Sequence, residues 1–198
     1  MSKFKFPESI RSRPVYGTLA PRDGSAHLLI ADAEGAHAIL DAATPAMMEK
    51  AHIIYIPKGA DLEEKLRALK PAQFYAGPSY AAAEQRIHKA LADAKMGLQL
   101  YLAGTEGLMG QAQHAAMQAG IPHTAIQTEH RGSVARRMQC VHCKGITEDV
   151  EIDPFVCAHC GLNLFVRDHY SRRLAAYQGV CIDAEDPGNV PASKGIYE

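Results

Sequence analysis

Four of the chain's five cysteines fall in two CxxC pairs, Cys140 with Cys143 and Cys157 with Cys160, thirteen residues apart. A CxxC turn aims two sulfurs at one point while backbone N–H groups donate to them. Two such turns make a closed tetrahedral four-sulfur set, which suits Zn²⁺ and is also found with iron. Zinc in a ribbon-like module is the leading expectation, and a rubredoxin-type iron held by the same four sulfurs is the alternative. His142 and His159 sit inside the knuckles and are expected to lie at the surface or beside the ligands, because four thiolates already close the site. Cys181 stands alone, as a small buried apolar residue would.

A chain of 198 residues can hold one good core plus a smaller module. No apolar run approaches the length of a membrane span, and the start "MSKFKFPESIRSRP" lacks a signal-peptide core. The expected setting is the cytoplasm, where thiols stay reduced and disulfides are not favoured. With a net charge of −1, no long-range field draws nucleic acid or membrane to the whole chain. No Ser/His/Asp arrangement, P-loop or open three-ligand metal site is present. His114, His123 and His130 are separated by turns and show no ligand spacing.

The elements ahead of the cysteines alternate short apolar runs with helical patterns. Strands are expected at 27–31, 52–56, 73–76, 99–103 and 124–127, apolar on both faces as in a parallel sheet covered by helices. Asp61 and Glu64 form a possible capping box ahead of Leu62, Leu66 and Leu69. Ser79 can cap a helix with the stripe Ala83, Ile87, Ala90, Leu91 and Ala94. Thr105 can cap another, with Leu108, Met109, Ala112, Ala116 and Ala119 inward. The expected fold is α/β: a doubly wound parallel five-stranded sheet over residues 27–132, then a small four-cysteine module over 133–182. An N-terminal extension (1–26) and a C-terminal tail (183–198) flank them.

"YLAGTEGLMGQAQHAAMQAGIPHTAIQTEHRG" resembles the last part of the nucleotide-binding domain of the ferredoxin–NADP reductase superfamily. There a strand ends in Cys-Gly-Pro, a Met lies early in the next helix, and a Glu ends the last strand. "LLIADAEGAHAIL" occupies the place of that family's first strand and Gly-rich loop. The resemblance spans roughly residues 27–130 and implies a ligand crevice beyond the ends of strands one and four. The loops there read Ala31-Asp32-Ala33-Glu34-Gly35 and Gly104-Thr105-Glu106-Gly107, and Ala103 replaces the Cys. A pyrophosphate needs glycines and uncontested helix N–H groups, whereas Asp32, Glu34 and Glu106 oppose it. One like-charge contact at 4 Å costs about 1 kcal/mol in water and about 4 at an effective dielectric near 20. Two would cancel much of a micromolar affinity of about 8 kcal/mol. The nucleotide loops are therefore expected to be degenerate.

After the knuckles come expected strands "DVEI" and "LFVRD" and then "HYSRRLAAYQGV". Arg167, Tyr170, Arg172, Arg173 and Tyr177 are residue types that anchor interfaces and are expected to dock a partner. The reductase-like body followed by this tail is similar to the family of A-type subunits of bacterial dimethylamine monooxygenase. That resemblance implies an accessory role in an NADPH- and O₂-dependent multi-subunit complex that turns dimethylamine into methylamine and formaldehyde. NADPH, haem, flavin and an iron–sulfur cluster would then be used by separate oxygenase and reductase subunits. Two other readings are an electron-transfer subunit with iron in the four-cysteine site, and a zinc-ribbon nucleic-acid binder. Three arginines beside Asp168 are a thin footprint for nucleic acid.

Overall fold

The computed structural model describes residues 13–196. They divide into two compact units, residues 16–133 and residues 13–15 with 134–196. No helix among the described residues is long and apolar enough to cross a membrane.

In the first unit the order is β1 (Ala26–Asp32), α1 (Gly35–Ala42), α2 (Pro45–Met48), β2 (Ala51–Ile56), α3 (Glu63–Ala68), β3 (Gln73–Ala76), α4 (Tyr80–Ala92), β4 (Leu98–Gly104), α5 (Glu106–Gln118) and β5 (Ile126–His130). The five strands are parallel in the order β3-β2-β1-β4-β5, so the chain reverses direction across the sheet between β1 and β4. Alternation along the strands sorts two cores, one on each face. Leu29, Ile53, Tyr55 and Tyr101 pack with Ile39, Met47 and Leu66. Leu28, Ile54, Leu100 and Leu102 pack with Ile87, Leu91, Met109 and Ala112. Both faces are thus buried, which is why these strands read as continuous apolar runs.

Helix starts follow local chemistry. Ser79 Oγ accepts the Ala82 N–H at 3.2 Å, and Thr105 Oγ1 accepts the Leu108 N–H at 3.4 Å. The capping box at Asp61 and Glu64 does not form. Leu62 occupies the N-cap position of α3 without a side-chain cap, because that residue is drawn into the core. Ala119 follows the last turn of α5 and is exposed, so the inward stripe stops at Ala116. The fifth strand begins two residues later than expected: Pro122 leads into a 3-10 turn over His123–Ala125, and pairing with β4 starts at Ile126. Residues 16–22, expected to be part of an extension, belong to this unit. Gly17 N donates to the Thr128 carbonyl (2.9 Å), and Ala20 exchanges hydrogen bonds with the Gln127 side chain, covering the open edge of β5.

The second unit contains β6 (Arg136–Cys140), β7 (Ile146–Val150), β8 (Ile152–Asp153), β9 (Phe155–Val156), β10 (Asn163–Ser171), β11 (Ala176–Cys181) and β12 (Lys194–Gly195). Five strands form one sheet in the order β7-β6-β11-β10-β9, and β12 pairs with β8. "DVEI" is split between two strands, because Asp149 adopts a left-handed φ of 53° and Ile152 turns to pair with Gly195. The segment expected to be a separate tail is therefore held to this unit, with Ser193 Oγ donating to the Pro154 carbonyl. Its core is small: Met138, Val150, Phe155, Leu164 and Tyr177, with Cys140 and Cys157.

Gly35, the first residue of α1, has no room for a side chain; a Cβ there would collide with the Ala103 backbone of β4. Gly35→Ala should lower stability by about 1–3 kcal/mol, read as a drop in thermal midpoint. An unchanged midpoint would mean that α1 does not pack this closely on β4.

Candidate metal centre and switch-point site

At the carboxyl ends of β1 and β4, Asp32 is fully buried. Its Oδ1 accepts the Thr105 N–H (2.7 Å), its Oδ2 accepts the Thr105 hydroxyl (2.6 Å), and Lys58 Nζ lies 3.3 Å away. The β1–β4 register, which pairs Ala31 with Ala103, brings these groups together. Thr105 in turn caps α5, so the carboxylate sits at a helix N-terminus where negative charge is favoured. These are the donors a phosphate would need.

In this structure the Asp32 carboxylate occupies those donors itself. Gly104 makes room for the carboxylate: its φ is 125°, and a Cβ there would strike Asp32. Glu106 is buried and accepts the Tyr16 hydroxyl at 2.8 Å, while Tyr16 also lies 5.9 Å, ring to ring, from His130. Glu34 is half-buried beside His37 (3.3 Å). Of the loop residues singled out, Gly35 and Gly104 serve close packing, Asp32 and Glu106 accept hydrogen bonds within the unit, and Glu34 lies beside His37.

Sequence spacing marked Glu129 only as the Glu that ends the last strand and did not reveal its partners. Glu129 is buried, accepts the Leu19 N–H (2.6 Å), and pairs with Arg131 (2.8 Å), which also reaches Asp41 (2.8 Å). Lys58 and Tyr16 carry no distinguishing spacing; only the fold brings them to the strand ends. Burial lowers the His130 pKa, against the Ser133 carbonyl and the nearby Glu106 and Asp32.

In the second unit the two knuckles share one backbone geometry. Lys144 N donates to the Cys140 carbonyl (2.9 Å) and Gly161 N to the Cys157 carbonyl (3.0 Å), with φ of 65° and 74° at these two residues. Cys140 N donates to Gly145 and Cys157 N to Leu162, five residues on in each case. The four Sγ atoms lie within 4.8 Å of one another, at 3.9 Å for Cys140–Cys160 and 3.7 Å for Cys143–Cys157. Tetrahedral zinc with Zn–S of about 2.3 Å requires sulfurs about 3.8 Å apart. The donor set fits a metal ion.

Titration of the sulfurs points the same way. Burial pushes the Cys157 thiol up, but N–H groups of Cys160 and His159 and the Cys160 and Cys143 sulfurs outweigh it and bring it down to about 6. The Leu162 N–H favours the Cys160 thiolate, yet burial and the other three sulfurs push that thiol up to about 12. One thiolate forms readily and the last resists. A cation among them removes the conflict. His142 is exposed, and His159 donates from Nε2 to the Ile146 carbonyl (2.7 Å) while covering Gly145, so neither joins the four sulfurs. Cys181 donates its thiol to Asp183 (3.2 Å) and lies outside the group; it is half-buried rather than a buried apolar residue.

The docking segment forms a hairpin, β10 to β11, with Arg172 and Arg173 exposed in its turn. Arg167 is exposed and Tyr170 half-buried. Tyr177 is only 1% exposed and is not available to a partner in this fold; Arg136 stacks on its ring at 4.2 Å and Tyr170 packs against it. Asp168 holds Arg136 (2.8 Å) and Arg13 (3.1 Å), an ion triad that sequence alone did not suggest.

Comparison with known proteins covers both units. Residues 8–126 match the family described as dimethylamine monooxygenase subunit DmmA-like, N-terminal domain, and residues 137–180 match the corresponding C-terminal domain. A protein of Ectopseudomonas mendocina (strain ymp), described as heme-dependent oxidative N-demethylase delta subunit, is 36% identical over 110 residues. The match spans 56% of this chain and 63% of that protein. No solved structure matches the chain.

Cys157→Ser should release the bound metal and leave residues 138–180 open to protease while the α/β unit survives, since structural zinc supplies about 10–16 kcal/mol of coupled folding energy. Unchanged metal content and protection would remove Cys157 from the ligand set. Asp32→Ala, which strands the Thr105 donors and Lys58, should cost about 3–5 kcal/mol by denaturant titration. A cost below about 1 kcal/mol would show that water replaces the carboxylate.

Proposed function

The chain belongs to the dimethylamine monooxygenase subunit DmmA-like family, and from that premise we propose that it is an accessory subunit for assembly and docking in a multi-subunit, NADPH- and O₂-dependent monooxygenase that oxidatively demethylates dimethylamine to methylamine and formaldehyde. The observation that carries the accessory role is the Asp32–Thr105 clamp, which fills the reductase-like switch point with the chain's own carboxylate. Haem and the flavin/iron–sulfur chemistry then belong to the partner oxygenase and reductase subunits, in the cytoplasm. The first unit is a ferredoxin reductase-like nucleotide domain that keeps the topology and has lost the ligand.

The four cysteines, in this reading, hold structural Zn²⁺ in a zinc-ribbon-like module, and the ion's contribution is to fix the two knuckles. Arg167, Tyr170, Arg172 and Arg173 present the hairpin to a partner subunit. One observation favours the second reading, an electron-transfer subunit with iron in this site: Cys160 lies exposed at the surface, as electron exchange with a partner requires. Metal analysis and a visible spectrum separate the two, since zinc leaves the protein colourless and ferric iron held by four thiolates colours it red. Nucleic acid is not expected, because Arg13 and Arg136 are engaged with Asp168.

Reconstitution tests the role. Formaldehyde production from dimethylamine should fall when this subunit is omitted from the purified complex and return when it is restored. The isolated chain should show no saturable NADPH binding at tens of micromolar by calorimetry; a dissociation constant near 1 μM, about 8 kcal/mol, would reinstate an active nucleotide domain. Ala at Arg172 or Arg173 should weaken binding to the partner, by roughly 2–5 kcal/mol for an arginine buried across the interface and mainly through on-rate and salt dependence for one at the rim. Activity should return when the variant is supplied at saturation. Activity that stays lost there would put the hairpin on the reaction path.

A further inference from the structure

A second concavity lies at the opposite end of the first unit's sheet from the switch point. It measures about 520 Å³, within the ordinary range for small-molecule sites. The amino ends of β1, β2 and β4 form its floor, with Ala26, Leu28, Ala51 and Leu98 supplying short or apolar side chains. The second half of α4 and the loop into β4 form one wall. Around this floor stand Lys50, Arg86, Lys89 and Lys95, against Asp93 as the lining carboxylate. Lys89 is paired with that carboxylate at 2.8 Å, which leaves Lys50, Arg86 and Lys95 without a matching carboxylate among the lining groups, Arg86 being stacked on the Tyr75 ring at 4.4 Å.

Two histidines complete the lining, His27 and His52. His27 is buried, and the Tyr101 hydroxyl lies 3.4 Å from its Nδ1. Tyr101 accepts the Arg22 N–H (3.2 Å), so its own proton is available to Nδ1. Burial lowers both histidines, and the next cause is Lys50 for His27 and Arg86 for His52.

We propose that this concavity is a binding site for a small amphipathic phosphate monoester, of the size and class of a nucleoside monophosphate, with its phosphate at Lys50, Arg86 and Lys95 and its body on the apolar floor. Several cations ringing one apolar recess match a dianion carried on an uncharged body better than a purely polar or purely apolar ligand. Neither the family match nor the four-sulfur centre bears on this site, and its failure leaves the accessory-subunit reading untouched.

The test uses the full chain with AMP, adenosine and inorganic phosphate as probes, followed by calorimetry. AMP should bind at least about tenfold more tightly than adenosine or phosphate alone, a difference of about 1.4 kcal/mol. Lys50→Ala and Arg86→Ala should each weaken AMP by about tenfold; the exposed Lys50 variant should keep its thermal midpoint, and the Arg86 variant, which also loses a stack on Tyr75, is judged on the affinity alone. Lys95→Glu, in the loop, should do the same by charge reversal. Absence of AMP binding overturns the proposal. So does adenosine binding as well as AMP, phosphate binding as well as AMP, or AMP affinity indifferent to all three substitutions.

Discussion

The α/β unit is organised around a carboxylate that has no access to water. A buried ion is tolerated only when donors replace its hydration, and Asp32 obtains them from one residue of the neighbouring strand–helix junction and one lysine. That requirement propagates. β4 must end in a residue without a side chain, and Gly104 adopts a φ closed to most residues to let the carboxylate in. α5 must begin at Thr105, whose hydroxyl both caps the helix and donates to Asp32. The β2–α3 loop must bring Lys58 back over the strand end. A sheet order that ordinarily opens a crevice between β1 and β4 is thereby closed from inside.

The four sulfurs of the second unit pose the same electrostatic problem and lack the same answer. Two of them are buried, and backbone N–H groups stabilise one thiolate well but not four, as the opposite displacements of Cys157 and Cys160 express. A cation at the centre of the four sulfurs would let all of them be thiolates. Among the described residues this unit's buried cluster is small, with Cys140 and Cys157 themselves part of it. One unit satisfies its buried charge with its own side chains, and the other presents four sulfurs that could hold a metal ion.

Much of this was legible in the sequence because the signals were local or periodic. Two CxxC pairs define a four-sulfur set whatever lies between them, and apolar runs with caps at Ser79 and Thr105 marked the sheet and its helices. Partnership across the fold was not legible. Asp32 reads as an acid that repels phosphate until the register sets it beside Thr105. Tyr177 reads as a surface aromatic because its partner Arg136 is forty-one residues away. Asp61 looks like a cap because sequence cannot weigh the pull of Leu62 into the core. Even the tail's attachment through Lys194 and Gly195 rests on a short pairing with β8 that no periodicity announces.

A net charge of −1 conceals how unevenly charge is distributed in the first unit. Asp32, Glu106 and Glu129 are buried at the carboxyl ends of the strands, each matched to a donor at hydrogen-bonding distance. At the amino ends Lys50, Arg86 and Lys95 surround an apolar recess that holds one carboxylate, already paired. Acids that are individually satisfied stabilise the fold and leave little field outside it. Cations that share a recess without matching acids leave a positive field around it. The carboxyl end of the sheet is closed by its own carboxylate, and the amino end is where the unit has charge to offer.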